Sequence, residues 1–392
     1  MRSCSLGAER WWVPMAERRV LFVCNVDWFV LLHWRDLLVD MVRRGHRVHV
    51  LCADSGRLEE IRALGATVDA IPISRAGTRP LDELRTFTQI ARSLRLFRPD
   101  LVHTVTIKPN LYATLATRLL TRRVPVVCAV TGFGFVFDAQ TSVGASGAVR
   151  WLLRLVLRSA RVHVQVENAE AVERVVELGL SVRGRTYLIE GAGVDTDRFH
   201  PAESGGSDAK AATVLLPARM LRDKGVVEFI EAARSLSARS DIRCLLAGRI
   251  DVDGNPTAIS EADLYALLSD SGAHWLGEVD DVAELMRQVD MVALPSYHEG
   301  LPKALLEAAA CGLPLIATDI PGCRPVVHDG ENGILVPVRD AASLASAIER
   351  LASDSALRST FGERSRHMAV DRFDRRIILD RFAELHDEVL RR

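Results

Sequence analysis

What the chain lacks narrows it first. Its 50 basic and 51 acidic residues leave a formal net charge of −1. Bulk charge therefore gives no pull toward nucleic acid, and any basic contact surface has to be a local patch. The seven cysteines, Cys4, Cys24, Cys52, Cys128, Cys244, Cys311 and Cys323, are odd in number, scattered, and without a CxxC pair. That pattern fits reduced, buried thiols in a cytosolic protein rather than a disulfide framework. No window of about 18 residues is purely apolar, so no membrane-spanning helix is expected and any work at a membrane is done from its surface. The first residues, MRSCSLGAERWWVP, carry charge and tryptophan but no apolar stretch of a signal peptide, so residues 1–14 read as a disordered tail before a fold that starts near Met15. No short fixed period repeats.

What is present is an alternation. The chain's 392 residues and 48% apolar content suggest two or three domains with a large buried core. Short apolar runs alternate with longer segments that repeat apolar residues every three or four positions, the pattern of βαβ units around parallel sheets. Strands are expected near 19–24, 47–52, 67–71, 100–105, 124–129, 161–166 and 186–190, with amphipathic helices such as HWRDLLVDMVRRG (33–45) and LDELRTFTQIARSLRLF (81–97) between them. The Gly/Ser-rich AESGGSDAKAA (202–212) reads as an exposed connection. Beyond it the alternation restarts, with strands near 213–218, 242–247, 291–294, 314–318 and 333–336. The fold class is therefore α/β, two doubly wound Rossmann-like domains facing across a cleft, with domains at 15–200 and 201–374. A final helix, 375–392, has no strand to follow and could cross back to the first domain. Ligands of such sheets bind outside the carboxyl ends of the strands.

Two constellations sit at such places. In YHEGLPKALLEAAACGLP (297–314), a Gly-Leu-Pro break separates Glu299 from a helical run that carries Glu307. Pro302 suits the first helical position, and the amides near Lys303, Ala304 and Leu305 form an anion site at the helix start. Glu307 lies roughly 7.5 Å along the axis from Pro302, and Glu299 lies on the other side of that site. A diphosphate at the helix start with one carboxylate on each flank suits a nucleotide-sugar, because ionised carboxylates accept several hydroxyl hydrogen bonds. A solvated helix residue and a dipole-favoured carboxylate explain the same pair. In TVLLPARMLRDKGVVEF, Arg219 ends a strand and Lys224 opens the next helix, which makes a diphosphate clamp that needs no metal. Solvated loop cations are the plain alternative.

Together, PARMLRDKG, LPSYHEGLPKALLEAAACGLPLIATDIPGCRPVV and GENGILV resemble the nucleotide-sugar-binding half of retaining GT-B glycosyltransferases of family 4, in which the spaced glutamates form the E-x7-E motif. NVDWFVLLHW, HTVTIKPNLYATLA, VTGFG and GAGVDTDRF are similar to the subgroup that extends polyprenyl-diphosphate-linked glycans in bacteria. The resemblance runs from about residue 19 to 390. It implies a retaining enzyme that moves a sugar, an N-acetylhexosamine or related hexose, from a nucleotide diphosphate of the UDP type to a lipid-linked or glycan acceptor in cell-surface polysaccharide assembly. It assigns Arg219 and Lys224 to the leaving diphosphate, Glu307 to the ribose and Glu299 to the donor sugar. Main-chain groups of Gly300, Leu301 and Lys303 would touch sugar and phosphate, and the GEVDD loop around Val279 would lie against the base. Arg219, Lys224 and Glu299 are thus the expected catalytic groups, with neither metal nor other cofactor.

The first domain should hold the acceptor, and there the chain departs from the commoner family pattern. CNVDWF replaces a Gly-rich loop, and HTVTIKPN keeps His103 without a second histidine. Lys108 could meet a lipid diphosphate or be a solvated lysine. Thr131 and Gly132 end a strand at the cleft and could approach the donor or simply pack. Asp251-Val252-Asp253 matches the DxD of metal-dependent transferases, but in a polar loop of the second sheet it reads as a decoy. VRWLLRLVLRSAR (149–161) sets Arg150, Arg154, Arg158 and Arg161 at helical spacing beside Trp151, Leu152, Leu155 and Val156. It is either a basic amphipathic helix on anionic lipid or a domain helix with its arginines in water. A cytoplasmic enzyme, peripheral on the inner face of the membrane, is the expected setting, and a nucleotide-sugar 2-epimerase of similar architecture is the alternative activity.

Overall fold

The computed structural model describes residues 17–73, 80–121, 123–131, 145–202, 211–251 and 255–392. The tail 1–14, Gly132, most of the 202–212 connection, and Val252 and Asp253 lie outside those residues.

Seven strands form the first sheet: β1 (Arg19–Val26), β2 (Arg47–Ala53), β3 (Thr67–Ala70), β4 (Leu101–Val105), β5 (Val126–Val130), β6 (Val162–Val166) and β7 (Thr186–Leu188). They pair in parallel in the order β3-β2-β1-β4-β5-β6-β7. Segments such as RVLFVCNV and VVCAV are apolar without alternation because helices cover both faces of a parallel sheet. One face is filled by residues such as Phe22, Trp34 and Met41, the other by residues such as Leu21, Ile90 and Val164.

The second sheet contains β8 (Ala212–Pro217), β9 (Ile242–Ala247), β10 (Ala273–Trp275), β11 (Met291–Leu294), β12 (Leu315–Thr318) and β13 (Gly333–Val336), in the parallel order β10-β9-β8-β11-β12-β13. The sequence reading misses β10. It is a three-residue edge strand, Ala-His-Trp, too short to show a period. Elsewhere the expected strands form within a few residues. In both sheets the order reverses beside the first strand, between β1 and β4 and between β8 and β11. The loops after these strands therefore open into a crevice.

After a π-helical turn at Ala369–Phe373, the helix Arg375–Arg391 leaves the second domain and packs on the first. Its buried Ile378, Phe382, Leu385 and Val389, spaced four, three and four, join the cluster of Val20, Phe22, Trp34 and Leu38. Burying Phe382 alone contributes about 1.5–3 kcal/mol. The crossing is pinned where Val194 N–H donates to Phe373 O (2.9 Å) and Arg375 N–H to Val194 O (2.9 Å). Arg372 and Arg381 both hold the buried Glu190. The six cysteines among the described residues are buried, and none of them forms a disulfide with another.

Candidate functional site

The second domain supplies one wall of a cleft enclosing about 1170 Å³ of space that opens to solvent. The β11 strand ends at Leu294, and the chain turns through Glu299 to Pro302 before the helix Lys303–Ala310 begins. Pro302 is the N-cap rather than the first helical residue. Its carbonyl takes the Leu305 N–H at 3.0 Å, so the anion site expected at this helix start narrows to Lys303 and Ala304, both of which line the cleft. Because β11 lies beside β8, the loop after β8 comes alongside, and Lys224 Nζ meets Glu299 Oε1 at 2.6 Å. Gly225, at φ +72°, makes that approach possible, since a Cβ there would overlap the Pro295 carbonyl.

Strand order also explains the partner of Arg219. The β9 strand flanks β8 on the other side, and Asp251, just beyond it, is completely buried at the side chain and ion-paired with Arg219 Nη1. The first aspartate of the Asp-Val-Asp sequence thus anchors Arg219. Lys303 Nζ reaches the Leu32 carbonyl of the first domain at 3.0 Å and lies 3.5 Å from Glu307. Burial pushes the Glu307 carboxyl up, and Lys303 pulls it partly back. Glu307 sits behind Lys303 rather than on the cleft wall, and Val279 packs against the second core.

The first domain brings residues that sequence reasoning missed. Trp28, after β1, stands with its ring 5.8 Å from the Arg219 guanidinium and 5.4 Å from that of Arg249. Its loop is built on buried Asp27. Burial pushes the Asp27 carboxyl up, yet hydrogen bonds from Ser55, Arg57 and Trp28 outweigh it and hold the group below the usual range. His33, in the π-helical turn Val30–Trp34, lines the cleft. Burial and the charges of Lys303, Lys224 and Arg219 push it down to about 3, so it is a neutral imidazole there.

Glu167, after β6, lines the same cleft and accepts a hydrogen bond from the Leu301 amide. Burial and then the Glu299 charge push its carboxyl up to about 8. Its neighbour Asn168 caps the helix Ala169–Glu177 through Oδ1 and donates from Nδ2 to the Gly300 carbonyl at 2.9 Å. No spacing announces Trp28, His33 or Glu167. They meet residues of the second domain only because the domains face each other.

Two acceptor-side expectations change. His103 is fully buried and does not reach the cleft. It stacks on Phe22 at 5.1 Å, and its Nδ1 lies 3.1 Å from His386 Nε2 on the returning helix. A β4 position is covered on both faces, which the strand's apolar neighbours foreshadow. Lys108 lies in the first turn of the helix Ile107–Leu120, not in a loop, and pairs with Glu83 at 2.6 Å. Thr131 does line the cleft, where its carbonyl packs on Gly300. Among the described residues no cluster of three metal-ligating side chains forms.

Known proteins resemble this chain along most of its length. Residues 198–368 match the family described as glycosyl transferases group 1, and residues 19–165 match that described as glycosyl transferase 4-like. The N,N'-diacetylbacillosaminyl-diphospho-undecaprenol alpha-1,3-N-acetylgalactosaminyltransferase of Campylobacter jejuni is 28% identical over 375 residues, covering 92% of this chain and 96% of that one. The UDP-Gal:alpha-D-GlcNAc-diphosphoundecaprenol alpha-1,3-galactosyltransferase of Escherichia coli is 22% identical, covering 88% and 89%. Anabaena HepE, solved in complex with UDP and glucose, superposes with a TM-score of 0.77 at 19% identity, over 95% of this chain and 100% of the other. With a carboxyl-terminal half that matches glycosyl transferases group 1 and an amino-terminal half that matches the glycosyl transferase 4-like family, joined across one cleft, the chain is a glycosyltransferase with the GT-B fold.

Proposed function

We propose that the enzyme transfers a hexose or N-acetylhexosamine, with retention, from a UDP-sugar to a polyprenyl-diphosphate-linked acceptor, without a metal. The observation that carries this reading is the convergence of Arg219, Lys224, Lys303 and a helix start on one cleft that also holds Glu299. When the bond between the sugar and the diphosphate breaks, the electron pair leaves on a phosphate oxygen. Cations and amides beside that oxygen stabilise the developing charge. Asp251 holds Arg219 in place for this, and Lys224 trades its contact with Glu299 for the phosphate. Glu299, so released, accepts hydrogen bonds from the sugar hydroxyls, and Glu307, which lies behind Lys303, takes the ribose once that lysine swings away to the phosphate. The names of the Campylobacter and Escherichia relatives, both of which specify diphospho-undecaprenol acceptors, support the choice of acceptor.

Such an acceptor places the enzyme on the inner face of the membrane. The helix Ala145–Leu157 supports this. It buries Leu153, Val156 and Leu157 but exposes Trp151 and Leu155 beside Arg154 and Arg158, a mixed basic and apolar face suited to anionic lipid. No helix among the described residues is long and apolar enough to cross a membrane.

The test is a product assay with UDP-, GDP-, ADP- and TDP-sugars, each with and without an undecaprenyl-diphosphate-linked saccharide. Acceptor-dependent release of UDP is expected. Turnover restricted to another nucleotide, or sugar conversion without acceptor, would refute it.

A further inference from the structure

Glu167 is the one carboxyl group of the first domain that lines the cleft, among the described residues, and its surroundings are unusual. A Cβ on Gly300 would overlap both Glu167 Oε2 and the Thr131 carbonyl oxygen, so the glycine is where the ends of β5 and β6 come down on the donor loop. Three contacts tie that seat together: the Leu301 amide to Glu167, Asn168 Nδ2 to the Gly300 carbonyl, and the Thr131 carbonyl against Gly300. The charged side chain that bears on Glu167 is Glu299, whose cation, Lys224, is already committed to it at 2.6 Å. The other titratable groups lining the cleft are Arg219, which is held by Asp251, Lys303, which reaches Leu32 and Glu307, and the neutral His33. On Glu167's own side, Glu170 points to Arg324 at the surface. Of two carboxyl groups in one cleft, with only Glu299 paired to a cation, the other is best satisfied when it carries a proton.

We propose that Glu167 is the positioning residue through which the first domain closes on the donor loop, and that it does so as a neutral carboxylic acid. This rests on the assignment of Glu299 to Lys303 as the donor loop. Closure then orders the Gly300–Leu301 main chain, and the same contact is broken by charge. The sign is fixed by the two environments. In an open cleft Glu167 is a solvated carboxylate with an ordinary affinity for protons, whereas in the closed cleft burial and Glu299 push it up to about 8. Closure is therefore strongest in acid, weakens as pH rises above the ordinary carboxylate range, and beyond about 8 sets two charged carboxylates against each other.

The experiment compares wild type with Glu167→Gln, which keeps the shape of the neutral acid, and Glu167→Ala. Transfer is followed from pH 6.5 to 9.5, and small-angle X-ray scattering of the substrate-free full chain is measured at pH 7 and 9.5. Wild-type kcat/KM should fall at least tenfold between pH 6.5 and 9.5, with most of the fall complete near pH 8. Glu167→Gln should stay within about threefold of the wild-type rate at pH 7 and lose that alkaline fall, while Glu167→Ala should lose at least tenfold at pH 7. In scattering, wild type should expand at pH 9.5 and Glu167→Gln should not. An alkaline fall that persists in Glu167→Gln, or equal impairment of both variants at pH 7, would overturn the proposal. Scattering needs no substrate, so it still decides the closure step should the donor or acceptor assignment fail. A Glu167→Gln protein that expands like wild type counts against it.

Discussion

Replacing Lys224 by methionine separates two roles that the structure superimposes on one ammonium group. Its Nζ lies 2.6 Å from Glu299 Oε1, with the two side chains only 23% and 12% exposed. Leaving a half-buried carboxylate without its partner costs about 1–3 kcal/mol, and for a domain of this size about 2 kcal/mol lowers the melting temperature by about 4–8 °C. The effect on transfer should be larger. Removing one preorganised group that faces developing charge costs about 3–4 kcal/mol in the transition state, or a 10²–10³-fold fall in kcat. Adding Glu299→Gln removes the orphaned charge. The double variant should recover most of the melting temperature but none of the rate, because stability depends on the pair while transfer depends on the cation. Calorimetry and a UDP-release assay give both numbers from one preparation. A folded Lys224→Met protein that turns over within fivefold of wild type would remove the lysine from the mechanism. Recovery of rate in the double variant would show that the loss was structural.

Three further outcomes test other parts. Activity should survive EDTA, since Arg219 and Lys224 supply the charge a metal would otherwise bring, and a loss restored by divalent cation would return attention to residues 251–253. Flotation with vesicles containing anionic lipid should carry wild type upward and leave behind a Trp151→Ser, Leu155→Ser, Arg158→Glu variant of unchanged melting temperature; equal flotation refutes the membrane face. The folded protein should also lose stability in mild acid. Burial holds His386 at about 3 and His103 well below its ordinary value. Their neutral forms stabilise fully above pH 6.5, and that contribution declines as pH falls toward 3. Each costs about 2 kcal/mol by pH 5, from about 1.4 kcal/mol per pH unit. A melting temperature unchanged between pH 7 and 5 would contradict this, and His386→Leu should flatten the slope.

Much of this molecule is written locally. Continuous apolar strands, amphipathic helices and their caps depend on neighbours a few residues away, so the order of elements, the Gly-Leu-Pro helix start and the Lys224 and Glu299 loops are legible in the chain. The edge strand Ala273–Trp275 is not, because three residues carry no period. Nor could the chain say that His103 would be sealed in a core by His386, 283 positions away, or that Lys108 would face Glu83. Those outcomes depend on which strands become neighbours and on a terminal helix crossing back.

The site divides the same way. The sequence by itself determined which groups could grip a nucleotide-sugar, since residue type and spacing fix charge and helix-start geometry. Only the tertiary structure decided what holds those groups. Asp251 reaches Arg219 because β9 lies beside β8, and Glu167 reaches Gly300 and Leu301 because two domains meet. Contacts between segments far apart in the chain are set by packing, which leaves no periodic trace in the residues themselves.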